Sequence, residues 1–159
     1  MSTTSKNTLK YGAFSAEGFL KVGLKCDHAN FPIHQGDLVY LNGGKAKALD
    51  TDGNAASLAG VALQPSAVSS SIDNSSAPAQ KAIQVGCGLV AELKTTTSEV
   101  YADGDLVYIG ADAQTVTSVA GSNPVGRVLL PSNVSSVTGA SGVTVDVLVY
   151  GRLPLKLAN

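Results

Sequence analysis

The chain has 159 residues, of which 44% are apolar and only 14% charged, and its net charge is −1 at pH 7. Soluble domains average about 25% charged residues, so Ser, Thr, Asn and Gly, or partners, must cover the surface of this one. A nearly neutral chain has no basic field to hold nucleic acid, and no run approaches the roughly 20 apolar residues of a spanning helix, which argues against nucleic acid and membrane as partners.

Residues 1–18 are predicted to form an extended N-terminal arm. The first ten lack the apolar segment of an export signal, which points to a protein made and kept in a cytoplasm, with Cys26 and Cys87 reduced. Leu9, Tyr11, Phe14 and Phe19 gather aromatic and apolar side chains near this end in a chain with only three Phe and five Tyr. They either pack the domain edge or contact a partner, and they are the candidate partner-contact residues.

A single β-domain is predicted over 19–159. Leu20, Val22, Leu24 and Cys26 alternate with Lys21, Gly23 and Lys25, the period of a half-buried strand. Gly36 and Asp37 turn the chain into Leu38-Val39-Tyr40-Leu41, and Asn42-Gly43-Gly44 is a hairpin signal. Residues 45–49 form the return strand, 50–54 another tight turn, and 60–63 a short apolar strand. A polar, Ser-rich connection fills 64–80. The alternation of 83–93 follows as one strand, then a second Gly-Asp turn at 104–105, a turn at 111–114 before Thr115-Val116-Thr117, a second Ser-rich loop at 131–142, and alternating strands at 143–149 and 153–157. Pro154 confines the last to an edge or a tail. No window shows helical spacing of apolar residues. These elements predict eight to twelve short strands in a compact all-β barrel or sandwich.

The chain repeats itself. Gly-Asp-Leu-Val-Tyr occurs at 36–40 and at 104–108, an offset of 104 − 36 = 68, and 60–70 aligns with 126–136 at an offset of 126 − 60 = 66. Two blocks in one order at nearly one offset predict two similar halves, 19–80 and 81–159, each carrying one Ser-rich loop.

Catalytic and ligand-binding motifs are sparse. Cys26, Asp27, His28 and His34 are the one cluster of metal-ligand types, but the second pair that a zinc site wants is missing, so no metal is expected. Residues 50–54 lack the Gly and Glu positions of a calcium loop. The chain has neither a Gly-x-Ser-x-Gly elbow nor a phosphate loop. Asp37 and Asp105 stand at equivalent turns, where carboxylates bind their own backbone amides. No cofactor and no enzymatic activity are expected. The one enzymatic arrangement these residues allow is a barrel pocket lined by His28, His34 and a carboxylate.

The repeated Gly-Asp-Leu-Val-Tyr strand, the Gly60-Val61-Ala62 strand after a hairpin and the alternating strand at 83–93 resemble the capsid cement, or head decoration, proteins of tailed bacteriophages. The matching segments, 22–63, 82–93, 103–130 and 143–153, cover most of the chain. The Ser-rich loops and the tail from Pro154 go beyond that family's core. The resemblance implies a structural virion protein on the outer surface of an expanded capsid, a homotrimer that binds the major capsid protein and stabilises contacts between capsomers. The alternative is a head-fibre or tail-associated virion module that binds host-surface glycans, against which the absence of Trp weighs.

Overall fold

The computed structural model describes residues 8–10, 20–68, 72–74 and 76–151. They form two five-stranded barrels in tandem, so the all-β fold with two similar halves is what the chain adopts.

Barrel one is built from β2 (Leu20–Lys25), β3 (Leu38–Asn42), β4 (Lys45–Ala48), β5 (Leu58–Ala62) and β6 (Ala82–Cys87), in the order β2-β6-β5-β3-β4. A parallel bridge from Cys26 to Ala46 closes it. Barrel two uses β7 (Val90–Thr95), β9 (Leu106–Ile109), β10 (Thr115–Thr117), β11 (Gly126–Leu129) and β13 (Thr144–Val149), in the ring order β7-β10-β9-β11-β13. It closes because β7 pairs with both β10 and β13. A lid of two short strands, β8 (Val100–Ala102) and β12 (Ser136–Thr138), sits beside it.

The two barrels agree rung by rung. In barrel one, Leu38 pairs with Val61, Val61 with Gly86, and Gly86 with Lys21. In barrel two, Leu106 pairs with Arg127, Arg127 with Leu148, and Leu148 with Val90. The closing contacts match as well, Cys26 on Ala46 and Thr95 on Val116, both parallel.

The Gly-Asp turns explain why the repeated sequence survives in both halves. Gly36 and Gly104 have φ of 90° and 84°, a region that favours glycine. The Asp37 carboxylate accepts the His34 N–H at 2.8 Å, and Asp105 accepts the Ala102 N–H at 2.8 Å, as the sequence predicts. Gly60 and Gly126 recur because the chain on the next strand comes close. A Cβ on them would lie 2.1 Å from the Gly86 oxygen and 2.5 Å from the Leu148 oxygen.

Two sequence expectations change. The alternation over 83–93 is not one strand, because Gly88 (φ 72°) breaks it. β6 closes barrel one and β7 opens barrel two, so the seam between halves lies at Gly88 rather than at 80–81. Residues 50–54 do not form a hairpin turn. They open a single helical turn, α1 (Asp52–Ala55), capped by Thr51, whose side chain accepts the Asn54 N–H.

The core divides the residues of β3 between two clusters. Val39 points into barrel one with Leu24, Ile33, Ala46, Ile83 and Val85. Leu38 and Tyr40 join Leu49, Leu58 and Val61 in the larger cluster that also fills barrel two. Barrel one is thus buried on the inside and on one outer face. Gln114, at the tip of the β9–β10 turn, stitches this seam. Its amide accepts the Leu38 N–H at 2.6 Å and donates to the carbonyls of Leu38 (3.0 Å) and Leu49 (2.8 Å). Asp52 adds a second stitch by accepting the N–H groups of Ser122 and Asn123.

Candidate functional site

Within the arm predicted over 1–18, the described residues are β1 (Thr8–Lys10), which adds antiparallel to β7 with Leu9 opposite Ala91. This places one of the four predicted contact residues along the edge of barrel two. Tyr11, Phe14 and Phe19 lie outside the described residues, as do 1–7 and the tail from 152.

The polar groups singled out in the sequence converge where the first Ser-rich loop crosses the end of barrel one. Its neck is closed by the Gln80 N–H on the Ser66 carbonyl and by a bridge between Ala67 and Ala79. The Cys26 thiol donates to the Gln80 carbonyl at 3.1 Å, and burial pushes that thiol up from its ordinary value. Cys26 and Cys87 are both thiols.

Above the neck, His28 is buried and touches the Ser66 hydroxyl through Nδ1 (2.8 Å) and the Asn74 carbonyl through Nε2 (2.9 Å). A carbonyl only accepts, so Nε2 carries the proton that Asn74 receives, and the one Ser66 hydroxyl proton lies within reach of both Nδ1 and the Ile33 carbonyl (3.3 Å). The Ser66 oxygen also accepts the Ile33 N–H at 2.8 Å. A Ser–His pair at this distance has the spacing of an activated nucleophile. Here Ser66 is fully buried, and the pair acts as a clasp between loop and barrel.

His34 forms the second clasp. Its Nε2 lies 3.1 Å from Asp73 of the loop and its Nδ1 3.5 Å from Asp37. The hydrogen bond to Asp37, opposed by burial and reinforced by the charges of Asp37 and Asp73, holds the imidazole above its ordinary value. Burial also pushes the Asp37 carboxyl up, outweighing the pull of His34 and of Lys94 from barrel two. Both groups therefore hold their protons more tightly than they would in water. Asp37 Oδ1 is buried without a hydrogen-bond partner. His28, His34 and the carboxylates of Asp37 and Asp73 meet at this loop crossing, where they bond Ser66, Asp73 and Asn74 to the barrel.

The second Ser-rich loop covers the same end of barrel two by different means. β12 lays Val137 opposite Tyr101. Tyr101 fills the place of Ile33, is fully buried, donates to the Val116 carbonyl at 2.7 Å and accepts the Thr96 N–H at 3.0 Å. Burial pushes its hydroxyl up to about 12. Beside it, burial pushes the Glu99 carboxyl up, but hydrogen bonds from Thr117, Ser118 and Tyr101 outweigh that and hold it below the usual range. Glu99 and Thr117 take the positions of Phe31 and Lys47, whose ammonium stands 3.6 Å from the Phe31 ring centre.

Sequence reasoning missed Ser66, Asp73, Gln114 and Asp52. None stands in a periodic run, and each finds its partner 33 to 76 residues away. Among the described residues no group of three or more His, Cys, Asp or Glu side chains is arranged to hold a metal ion. A cleft of about 230 Å³ opens at the seam between Ala55, Leu58, Pro124 and Tyr150. The chain matches no protein-family model and no curated protein sequence.

Proposed function

We propose that this is a structural virion protein that binds the outer surface of an expanded phage capsid. It binds there as a homotrimer on the major capsid protein and stabilises contacts between capsomers. It is made in the host cytoplasm, carries no cofactor and catalyses no reaction. The observation that carries this reading is where the reactive side chains go. His28, His34, Ser66 and Asp37 are buried and bonded to one another, to the barrel or to its loop, a use of polar groups that fixes shape. The resemblance of the repeated strands to capsid cement proteins supplies the class of partner.

β1 joins β7 of its own chain through the backbone, so an arm that docks on a partner would start from the edge of barrel two. A trimer on a closed shell also makes several contacts at once, which multiplies weak affinities.

The test is sedimentation with expanded capsids of the cognate phage. The protein is expected in the pellet, and its retention in the supernatant would remove the basis of the reading. Deleting residues 1–12 is expected to reduce the pelleted fraction. A deletion that pellets like the full chain takes the arm out of the interface.

A further inference from the structure

We propose that the outer face of barrel two around Leu106 and Val119 seats a second copy of this chain, which docks there through its barrel one. The inference extends the trimer of the proposed function and rests on that reading only for the number of copies.

The repeat is the first argument. Leu38 and Leu49 occupy one face of barrel one, both 0% exposed, because barrel two of the same chain lies over them. The matching rung of barrel two carries Leu106, 36% exposed, and Val119, which follows β10 as Leu49 follows β4, is 65% exposed. The second barrel thus keeps a leucine on the rung where the first barrel buries one, and a further aliphatic side chain just past its β10. Among the described residues only Phe31, Val68 and Val100 are comparably exposed large apolar side chains. An apolar position that a neighbouring barrel covers in one half and that stays exposed in the other is a seat for a further barrel.

Charge is the second argument, and it names the barrel. Residues 88–151 carry two basic and six acidic side chains, 2 − 6 = −4, whereas residues 20–87 carry five lysines and five aspartates, 5 − 5 = 0. The Glu99 carboxylate, bonded to Thr117, borders the Leu106 face. Barrel one presents Phe31, 39% exposed, under the Lys47 ammonium, while Lys45 on β4 is paired with Asp27 at 3.0 Å. An aromatic and cationic ridge meeting an aliphatic and acidic face is complementary in both respects. A ridge on one copy against a different face on the next is a heterologous contact, which closes into a ring or runs on as a filament.

Light scattering and cross-linking test this. The wild-type chain is expected at three times the 16.1 kDa of one chain. Leu106→Asp with Val119→Asp is expected to lower the mass threefold with an unchanged far-ultraviolet circular dichroism spectrum. In a Cys26→Ser background, copies bearing Phe31→Cys mixed with copies bearing Val119→Cys are expected to cross-link on mild oxidation, and Val119→Cys copies alone are not. Three results would overturn the proposal: a wild type at the mass of one chain at every concentration, a double variant that keeps the wild-type mass, or Val119→Cys copies that cross-link among themselves. Capsid sedimentation of the same samples separates the two ideas. A monomeric wild type that pellets with shells overturns the self-docking face and leaves shell binding standing. A monomeric double variant that pellets supports the face and places shell binding elsewhere.

Discussion

Leu38 and Leu106 stand on the same rung of two copies of one barrel, each beside a Gly-Asp turn closed by the same carboxylate bond. Their surroundings differ. Leu38 pairs with Val61 and is sealed by the other barrel, whereas Leu106 pairs with Arg127 and is open. The backbone ladder is therefore indifferent to what covers it, and the side chains record the cover. A strand with neighbours on both faces reads as continuous apolar sequence, which is how Leu38-Val39-Tyr40 is buried, and the same letters in the second copy are only half used.

The largest effect should come from charging that rung. Leu38→Asp is expected to destabilise the protein by about 4 kcal/mol or more, because it buries an unpaired carboxylate. Leu106→Asp in dilute solution should cost less than about 0.5 kcal/mol. Urea unfolding of both variants measures the gap, and equal midpoints would mean that the seam is not what buries Leu38. Next comes the seam stitch. Gln114→Ala leaves the Leu38 N–H and the Leu49 carbonyl without their partner, while the Leu38 carbonyl keeps the Leu49 N–H, at a cost of roughly 3 kcal/mol. If its thermal midpoint equals the wild type, the two barrels hold together by apolar contact alone.

A smaller effect distinguishes the two barrel ends. Tyr101→Phe removes the hydroxyl that joins Val116 to Thr96 and should cost about 1–2 kcal/mol. Phenylalanine in place of Ile33 would instead overpack its end, so the two ends should respond differently in one chemical-denaturation series. The smallest effect is one of pH. The folded pKa of His34 is raised above 6.5, chiefly by Asp37. The clasp on Asp73 therefore contributes stability that is fully present below pH 6.5 and lost as pH rises through the raised value. The raised Asp37 acts in the same sense, its contribution complete below 3.8 and lost as pH rises through its own raised value. Asp73 is 54% exposed, so solvent screening keeps the effect below about 1 kcal/mol. Hydrogen exchange at residues 72–74 should quicken, relative to the wild type at low pH, as pH rises past 6.5. Exchange at 136–138 should not show this extra quickening, since Ala102 stands where His34 does. An equal extra response in both loops, or its survival in His34→Gln, would remove the clasp.

Most of the barrel architecture was legible in the sequence because it is written in local terms. Alternation marks strands, Gly-Asp marks turns, and the repeat of both marks two halves. The seam was not legible because the alternation through 83–93 passes Gly88 without a change of period, and only the backbone shows that the chain turns there. α1 was missed because Asp-Gly reads as a hairpin until Thr51 is seen to cap the turn. The clasps and the seam stitch escaped for a different reason. Single polar residues such as Gln114 and Ser66 acquire a role only from partners distant in sequence, and no window of the chain contains both members of a pair. Of the predicted arm, residues 8–10 are described, and their pairing with β7 was not legible.

The crossing at Gly88 has a consequence for how the protein comes into being. Synthesis proceeds from the N-terminus at about 5–20 residues per second, so barrel one is complete while the 64 residues of 88–151 are still to come. For roughly 3 to 13 seconds a finished ladder carries Leu38, Tyr40, Leu49 and Val61 on a bare flank, with Gln114 not yet made. A nascent chain in that interval displays to its neighbours on the polysome a surface that the mature protein never shows. The short linkage at Gly88 places the second barrel next to that flank as soon as it folds.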